Sequence, residues 1–499
     1  MPNKAAVISK YFDEFYIQKD VESILATIEY SLLLLEIESF SPAEELQLYY
    51  SLGTVHGDFL HLGADIGVEN EYLLEQQIFY FRKAIDIYDE HQKDVDIIQI
   101  PQLYTNLGNT YLTVGKIFEA IALYNNALEI FSKHPIAIGN RGRAYHILGN
   151  IVWDPGYQQI YYHSAYNQFS QALKNQLHYP HPQAYELYDQ DKLFLESHFD
   201  KSWLDTPLQF DDYDLGEPEE EAYRLWCLEN TLFLNPVNDV LKISATAHDP
   251  IHLPSIVRPI EYDSRLHGFY NLIKQEYVSS RYLFYEAIQP KTQEHFSDRQ
   301  VKILNTLDYA IHSLSDFKMK MAYRALYSLL DKIAFFMNQY FQIGIEEKDV
   351  SFRSIWLEEK SGRNGYRYEN PILSKTSENL ALGGMYWISK DFYEVNNRVI
   401  KPKSRILKDL RDQIEHKYSK TTMFPMVGDD RGMRGDQLAF YITDDELQDY
   451  TFDLMKTIRS LLLYVVIAVH IEEEKKNKEN GDRLTVSIDL PPIEDEWKL

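Results

Sequence analysis

Residues 396–420 read NNRVIKPKSRILKDLRDQIEHKYSK, and this stretch decides how the rest of the chain is read. After Pro402 its composition is helical, with Ile406, Leu407, Leu410 and Ile414 at the spacings of one helix side. It carries eight Lys or Arg against three Asp or Glu, in a chain whose formal net charge is −26. Its last two turns run Arg411-Asp412-Gln413-Ile414-Glu415-His416. An imidazole can give or take a proton near neutral pH. A guanidinium stays charged and can hold two phosphate oxygens in its fork. A fixed cation at a developing negative charge is often the largest contribution to catalysis. Residues five apart do not share a helix face, so Arg411 must curl around the helix to meet His416. Asp412 and His416 are four apart and do share one, which would let Asp412 fix the imidazole tautomer. Arg411 and Glu415 are also four apart and are expected to pair when no substrate is bound.

An Arg and a His at this distance also occur by chance on many charged helices, so the surroundings matter. Upstream and downstream, the pattern is helical. Between Pro101 and residue 134, Leu107, Gly108, Tyr111, Ala120, Tyr124 and Ala127 fall at tetratricopeptide-repeat spacings. Small residues let two helices approach and aromatics fill the groove between them. A second unit has Gly142, Tyr145, Ala165, Phe169 and Ala172, and fits if Asn150 to Tyr161 forms an inserted turn. A third has Leu52, Gly53, His56, Phe81 and Ala84, with a lengthened turn around Gly63 to Glu71. Residues 6–38 and 182–200 read as degenerate repeats or caps. The expected organisation is a helical repeat domain over 1–201, an acidic Pro- and Gly-containing linker over 202–220, and a helical bundle over 221–499.

Within the bundle, helices are expected over 218–235, 264–288, 297–314, 316–342, 396–419 and 444–476, with an irregular crossing at 244–263. Asp331 sits in an apolar helix and needs a partner, with Arg324 or the basic helix as candidates. Two glycine- and arginine-containing loops, SGRNGYRYENP (361–371) and FPMVGDDRGMRGDQ (424–437), suit RNA contact or a lid. RLTVSIDL (483–490) alternates like a strand.

With these elements in place, the sequence resembles the HEPN superfamily (higher eukaryotes and prokaryotes nucleotide-binding). The hallmark is Arg, a polar residue, three residues, then His, on an inner helix of a small bundle. Arg411, Asp412 and His416 fit it. The stretches EAYRLWCLENTLFLNPVNDV (221–240), LIKQEYVSSRYLFYEAI (272–288) and MAYRALYSLLDKIAFFMNQYF (321–341) are similar to the HEPN group preceded by tetratricopeptide-like helices. The resemblance implies an all-α protein: a TPR-like solenoid followed by a HEPN-type bundle. It further implies a metal-independent endoribonuclease, acting in antiviral defence or a toxin-like stress response, with a homodimer pairing two motifs. Arg411, Asp412 and His416 would be catalytic, with Asp331 and Glu415 in support. Arg405, Lys408, Lys417, Arg431 and Arg434 would touch RNA.

Composition narrows the alternatives. The acidic balance argues against broad nucleic-acid coating, so RNA contact should be local. The single cysteine, Cys227, excludes an internal disulfide framework and a Cys-based zinc site. No Walker A, dinucleotide glycine fingerprint, HExxH or Gly-x-Ser-x-Gly sequence occurs, and no cofactor or metal is expected. The start has no signal-peptide pattern, and the apolar run Leu461 to Val469 is short for a membrane span, which places the chain in the cytoplasm by expectation. The solenoid should offer a concave surface to a peptide or protein partner. Two other functions fit the same residues: a non-catalytic adaptor that binds RNA or nucleotide, and a small-nucleotide-binding regulator.

Overall fold

A computed structural model of the chain describes residues 4–62, 70–174, 182–257, 264–290, 293–306, 308–357, 360–361, 366–367, 372–393, 404–424, 438–479 and 490–498. The described residues are overwhelmingly helical. The N-terminal part is a row of antiparallel helices: α1 (Lys4–Gln18), α2 (Val21–Ile37), α3 (Pro42–Leu62), α4 (Asn70–Glu90), α5 (Ile100–Thr113), α6 (Ile117–Ile130), α7 (Pro135–Ile151), α8 (Pro155–Leu173) and α9 (Pro182–His198). The pairs α3/α4, α5/α6 and α7/α8 are the three units expected from the repeat spacings. Their small residues do what that spacing demands. A Cβ on Gly108 would lie 2.7 Å from Tyr124, one on Gly53 2.5 Å from Phe81, and one on Gly142 2.9 Å from Phe169. The turn of the α7/α8 unit departs from expectation. The extra residues lengthen both helices, and only residues 152–154 separate them. Asp154 caps α8 by accepting from Tyr157 N, so Trp153-Asp154-Pro155 starts a helix instead of forming a loop.

A short α10 (Lys201–Asp205) and an extended acidic run lead to α11 (Pro218–Glu229), which begins with three glutamates as expected. It stops at Asn230, short of the expected end. Thr231 takes a left-handed backbone (φ 58), and the chain then crosses irregularly to residue 257. Two buried arginines rivet this crossing. Arg281 binds Leu232 O and Asp249, and Arg459 binds Phe233 O, Asn235 O and Asp239. Cys227 is buried beside it, as a structural thiol should be, and burial pushes that thiol up to about 11.

The bundle consists of α12 (Arg265–Ile288), α13 (Leu314–Phe341), α14 (Leu380–Phe392), α15 (Ser404–His416) and α16 (Asp444–Glu479). By length and composition α16 could cross a membrane, but most of its apolar stretch is buried inside the protein, and Leu461 to Val469 form its core. Two small sheets accompany the bundle. In one, β1 (Lys360–Ser361) pairs antiparallel with β2 (Tyr366–Arg367). In the other, β3 (Ser419–Thr422) pairs parallel with β4 (Phe440–Thr443).

One expectation fails here. Residues 297–314 are not a helix. Gln300 and Tyr309 have positive φ (64 and 54), and the segment gives its hydrogen bonds elsewhere: Ile311 N donates to Thr421 O of β3, and Asp298 accepts from Leu314 N to cap α13. Conversely, α14 is not among the expected helices, and it carries Gly383 and Gly384. They are retained because the α5–α6 turn presses on them: a Cβ on Gly384 would run into Gly115 O, and one on Gly115 (φ +85) into Leu380 O. The segments 362–365, 368–371, 425–437 and 483–489 lie outside the described residues, and with them most of the two candidate loops and the candidate strand.

One hydrophobic core runs from Leu46 in α3 to Val469 in α16, so the solenoid and the bundle share it. Tyr464 of α16 packs its ring, tilted by 51°, against Phe118 and donates to Glu119, both on α6. A buried ionic joint adds to this. Asp391 of α14 accepts from Arg82 (2.7 and 2.9 Å) and Lys116 (2.6 Å), while Lys390 reaches Glu71 and Glu75 of α4. Burial alone would raise the Asp391 carboxyl, but Arg82 and Lys116 hold it well below the usual carboxylate range.

Candidate active site

α15 buries Leu407 and Leu410 against α13 and α14, with Ile406 and Ile414 at the margin. Among the described residues it runs from Ser404 to His416 and hands straight over to β3, short of the expected end at 419; residues 396–403 of the expected helix lie outside the described residues. Tyr323 of α13 donates to Leu407 O (2.5 Å), which pins the helix in rotation as well as in depth. The polar side therefore faces solvent. Lys408 and Lys417 are exposed on it. Arg405 lies in the first turn, while Arg431 and Arg434 fall outside the described residues.

The three motif residues meet at the C-terminal end of α15. Glu415 is at their centre. Its Oε2 lies 2.9 Å from Arg411 Nε and 3.5 Å from His416 Nε2. Its Oε1 accepts from Arg324 Nε of α13 at 3.1 Å. The expected Arg411–Glu415 pair thus forms, and Arg324 pairs with Glu415 where Asp331 was the anticipated partner. Asp412 does not take the anticipated place beside the imidazole. Its Oδ1 accepts from an Arg411 terminal nitrogen at 2.9 Å, and this hydrogen bond raises the already high guanidinium pKa. The reason is geometric: Arg411 folds back over the polar face of α15 and reaches its neighbour first. His416 is two-thirds exposed at its side chain (66%), and Arg411 is half that (34%).

Asp331 faces the same region from α13. It is partly exposed, accepts from Phe352 N (3.1 Å), and feels Arg411 electrostatically. Desolvation in its crevice raises its carboxyl, which the Phe352 amide and Arg411 partly offset. Tyr327 stands between them, its ring 5.9 Å from the Arg411 guanidinium carbon. Burial pushes the Tyr327 phenol up to about 12, while its hydrogen bond with Tyr393 pulls it down. Sequence reasoning passed over Arg324 and Tyr327 as site residues. Their signal was present: Arg324, Tyr327 and Asp331 recur at three and four residues, a polar stripe along an otherwise apolar helix.

Residues 259–472 match the family model described as LA2681-like HEPN, so the C-terminal part of the chain carries a domain of that family. Comparison with curated proteins and with solved structures finds no match.

Proposed function

We propose that the chain is a metal-independent endoribonuclease. The RNA 2′-hydroxyl attacks the adjacent phosphorus, His416 transfers the proton as general base or acid, and Arg411 holds the charge that builds on the phosphate. The products carry a 2′,3′-cyclic phosphate and a 5′-hydroxyl. Asp412 is a positioning residue, acting through its hydrogen bond to Arg411. Arg324 adds a second guanidinium.

One observation carries this reading: a single anionic oxygen, Glu415 Oε2, is already within reach of both the guanidinium and the imidazole. A phosphate oxygen in that position meets the same two groups. Glu415 must then turn aside, because its charge repels the phosphate. The exposure of His416 supports the reading too, since an RNA strand needs an open approach.

The wider setting is proposed by resemblance. Residues 1–201 form a TPR-like module that senses or restrains, 202–220 connect it, and 221–499 hold the nuclease. A homodimer through the bundle supplies a second His416 for the other proton transfer. Action in the cytoplasm, in antiviral defence or a toxin-like response, fits such a protein. The second reading, an adaptor that binds RNA without cutting it, draws on the same Glu415 clamp, which in this state occupies both guanidinium groups.

The test uses structured and single-stranded RNA in EDTA. Wild type should yield cyclic-phosphate ends, and His416→Ala or Arg411→Ala should cut on the order of 10²–10⁴-fold more slowly. Cleavage that survives His416→Ala sinks the nuclease assignment. Binding without cleavage by any variant favours the adaptor.

A further inference from the structure

We propose that the cleft beside the C-terminal end of α15 is a nucleobase pocket, and that it selects bases bearing an exocyclic amine. The inference rests on the RNA reading for its ligand class. The cleft has a volume of about 490 Å³ and lies between the start of α13 and β3. That is within the range of small-molecule sites. Tyr418 and Ser419 line it, two and three residues beyond His416. Two residues of chain span about 7 Å at most. A strand whose phosphate sits at His416 therefore brings a neighbouring base to the cleft.

The walls suit a flat ring. Phe317 and Tyr418 line the cleft and are 57% and 47% exposed. Single-stranded RNA is recognised mainly by stacking on such faces. Lys420 holds the Tyr418 ring in place: its ammonium lies 4.9 Å from the ring centroid and is bound to buried Asp308.

Base choice falls to Asp316. It is nine-tenths buried in the lining, and Lys320 Nζ binds its Oδ2 at 2.8 Å. Its Oδ1 has no hydrogen-bond partner among the described residues. A buried carboxylate oxygen without a donor is costly, so a ligand N–H placed there relieves a standing deficit. A second carboxylate, Asp298, lines the same cleft. Carboxylates only accept. The amino groups of cytosine, adenine and guanine donate, whereas uracil places carbonyl oxygens in their stead, which the carboxylate repels, and keeps only its ring N3–H as a donor.

The test measures binding of CMP, AMP, GMP and UMP to the intact protein by calorimetry or saturation-transfer NMR. These monophosphates contain no phosphodiester, so the readout is independent of cleavage. The three amino-bearing nucleotides should bind on the order of tenfold more tightly than UMP. Asp316→Asn, nearly isosteric, should abolish that preference. Phe317→Ala, at an exposed ring, should weaken all four by about tenfold. His416→Ala should leave the preference intact while stopping cleavage, so the pocket and the nuclease reading fail separately. Equal binding of the four, no binding, or a preference unchanged by Asp316→Asn overturns the pocket.

Discussion

Two ionic clusters, one at the C-terminal end of α14 and one at the C-terminal end of α15, put the same chemistry to opposite uses. At the solenoid joint, Asp391 accepts from Arg82 and Lys116, both largely buried, and its carboxyl is held far below its normal range. At the end of α15, Glu415 accepts from Arg411 and Arg324 and approaches His416, and all three of these groups reach water. A buried pair cannot change partners without leaving a charge uncompensated, so it fixes geometry. An exposed cluster is worth little to stability and can exchange its anion for another. The joint is structural and the helix end is available to a ligand, although both are one carboxylate among cations.

Removing the anion from each cluster is the sharpest way to break that contrast. Asp391→Ala leaves Arg82 and Lys116 buried and unpaired, and should cost about 3–5 kcal/mol in chemical denaturation. The wild-type contribution should also depend on acid. A carboxylate with a depressed folded pKa stabilises above its ordinary value, and that contribution is lost as pH falls below 3.8 toward the folded value. Denaturation midpoints that decline equally in wild type and Asp391→Ala across that acid window would contradict the assignment. Next in size is the backbone contact beside the joint. Gly115→Ala adds a Cβ against Leu380 O at φ +85, and should destabilise by about 2–4 kcal/mol. A neutral result would mean that the solenoid does not press on α14 in solution. The smallest effect belongs to the open cluster. Glu415→Gln should leave stability within about 0.5 kcal/mol, the scale of ordinary surface substitutions. It should also strengthen RNA binding several-fold at low salt, since it removes the competing anion. Weaker binding would make Glu415 a ligand contact instead of a placeholder.

How far the residues could be read from their order depends on the range of the forces involved. The three repeat units were legible because each sets a glycine in its first helix against an aromatic in its second, as Gly108 against Tyr124. The Arg411–Glu415 pair was legible because residues four apart share a helix face. By contrast, α14 was missed, and the place of Gly383 and Gly384 in it shows only once the turn at Gly115 packs against them. The loop at 297–314 misled in the other direction: its apolar residues suggested a helix, yet its backbone bonds to β3, more than a hundred residues later.

Local order along the chain determined the helical class, the repeat pairs, and the basic helix that ends in Arg411 and His416. Periodicity and side-chain spacing within one helix suffice for those. Only the tertiary arrangement decided that Arg324 joins the cluster, that Asp412 serves Arg411 instead of the imidazole, and that the solenoid and bundle share one core. Those outcomes depend on which helix faces which, and that is set by burial across the whole molecule, not by neighbours in sequence.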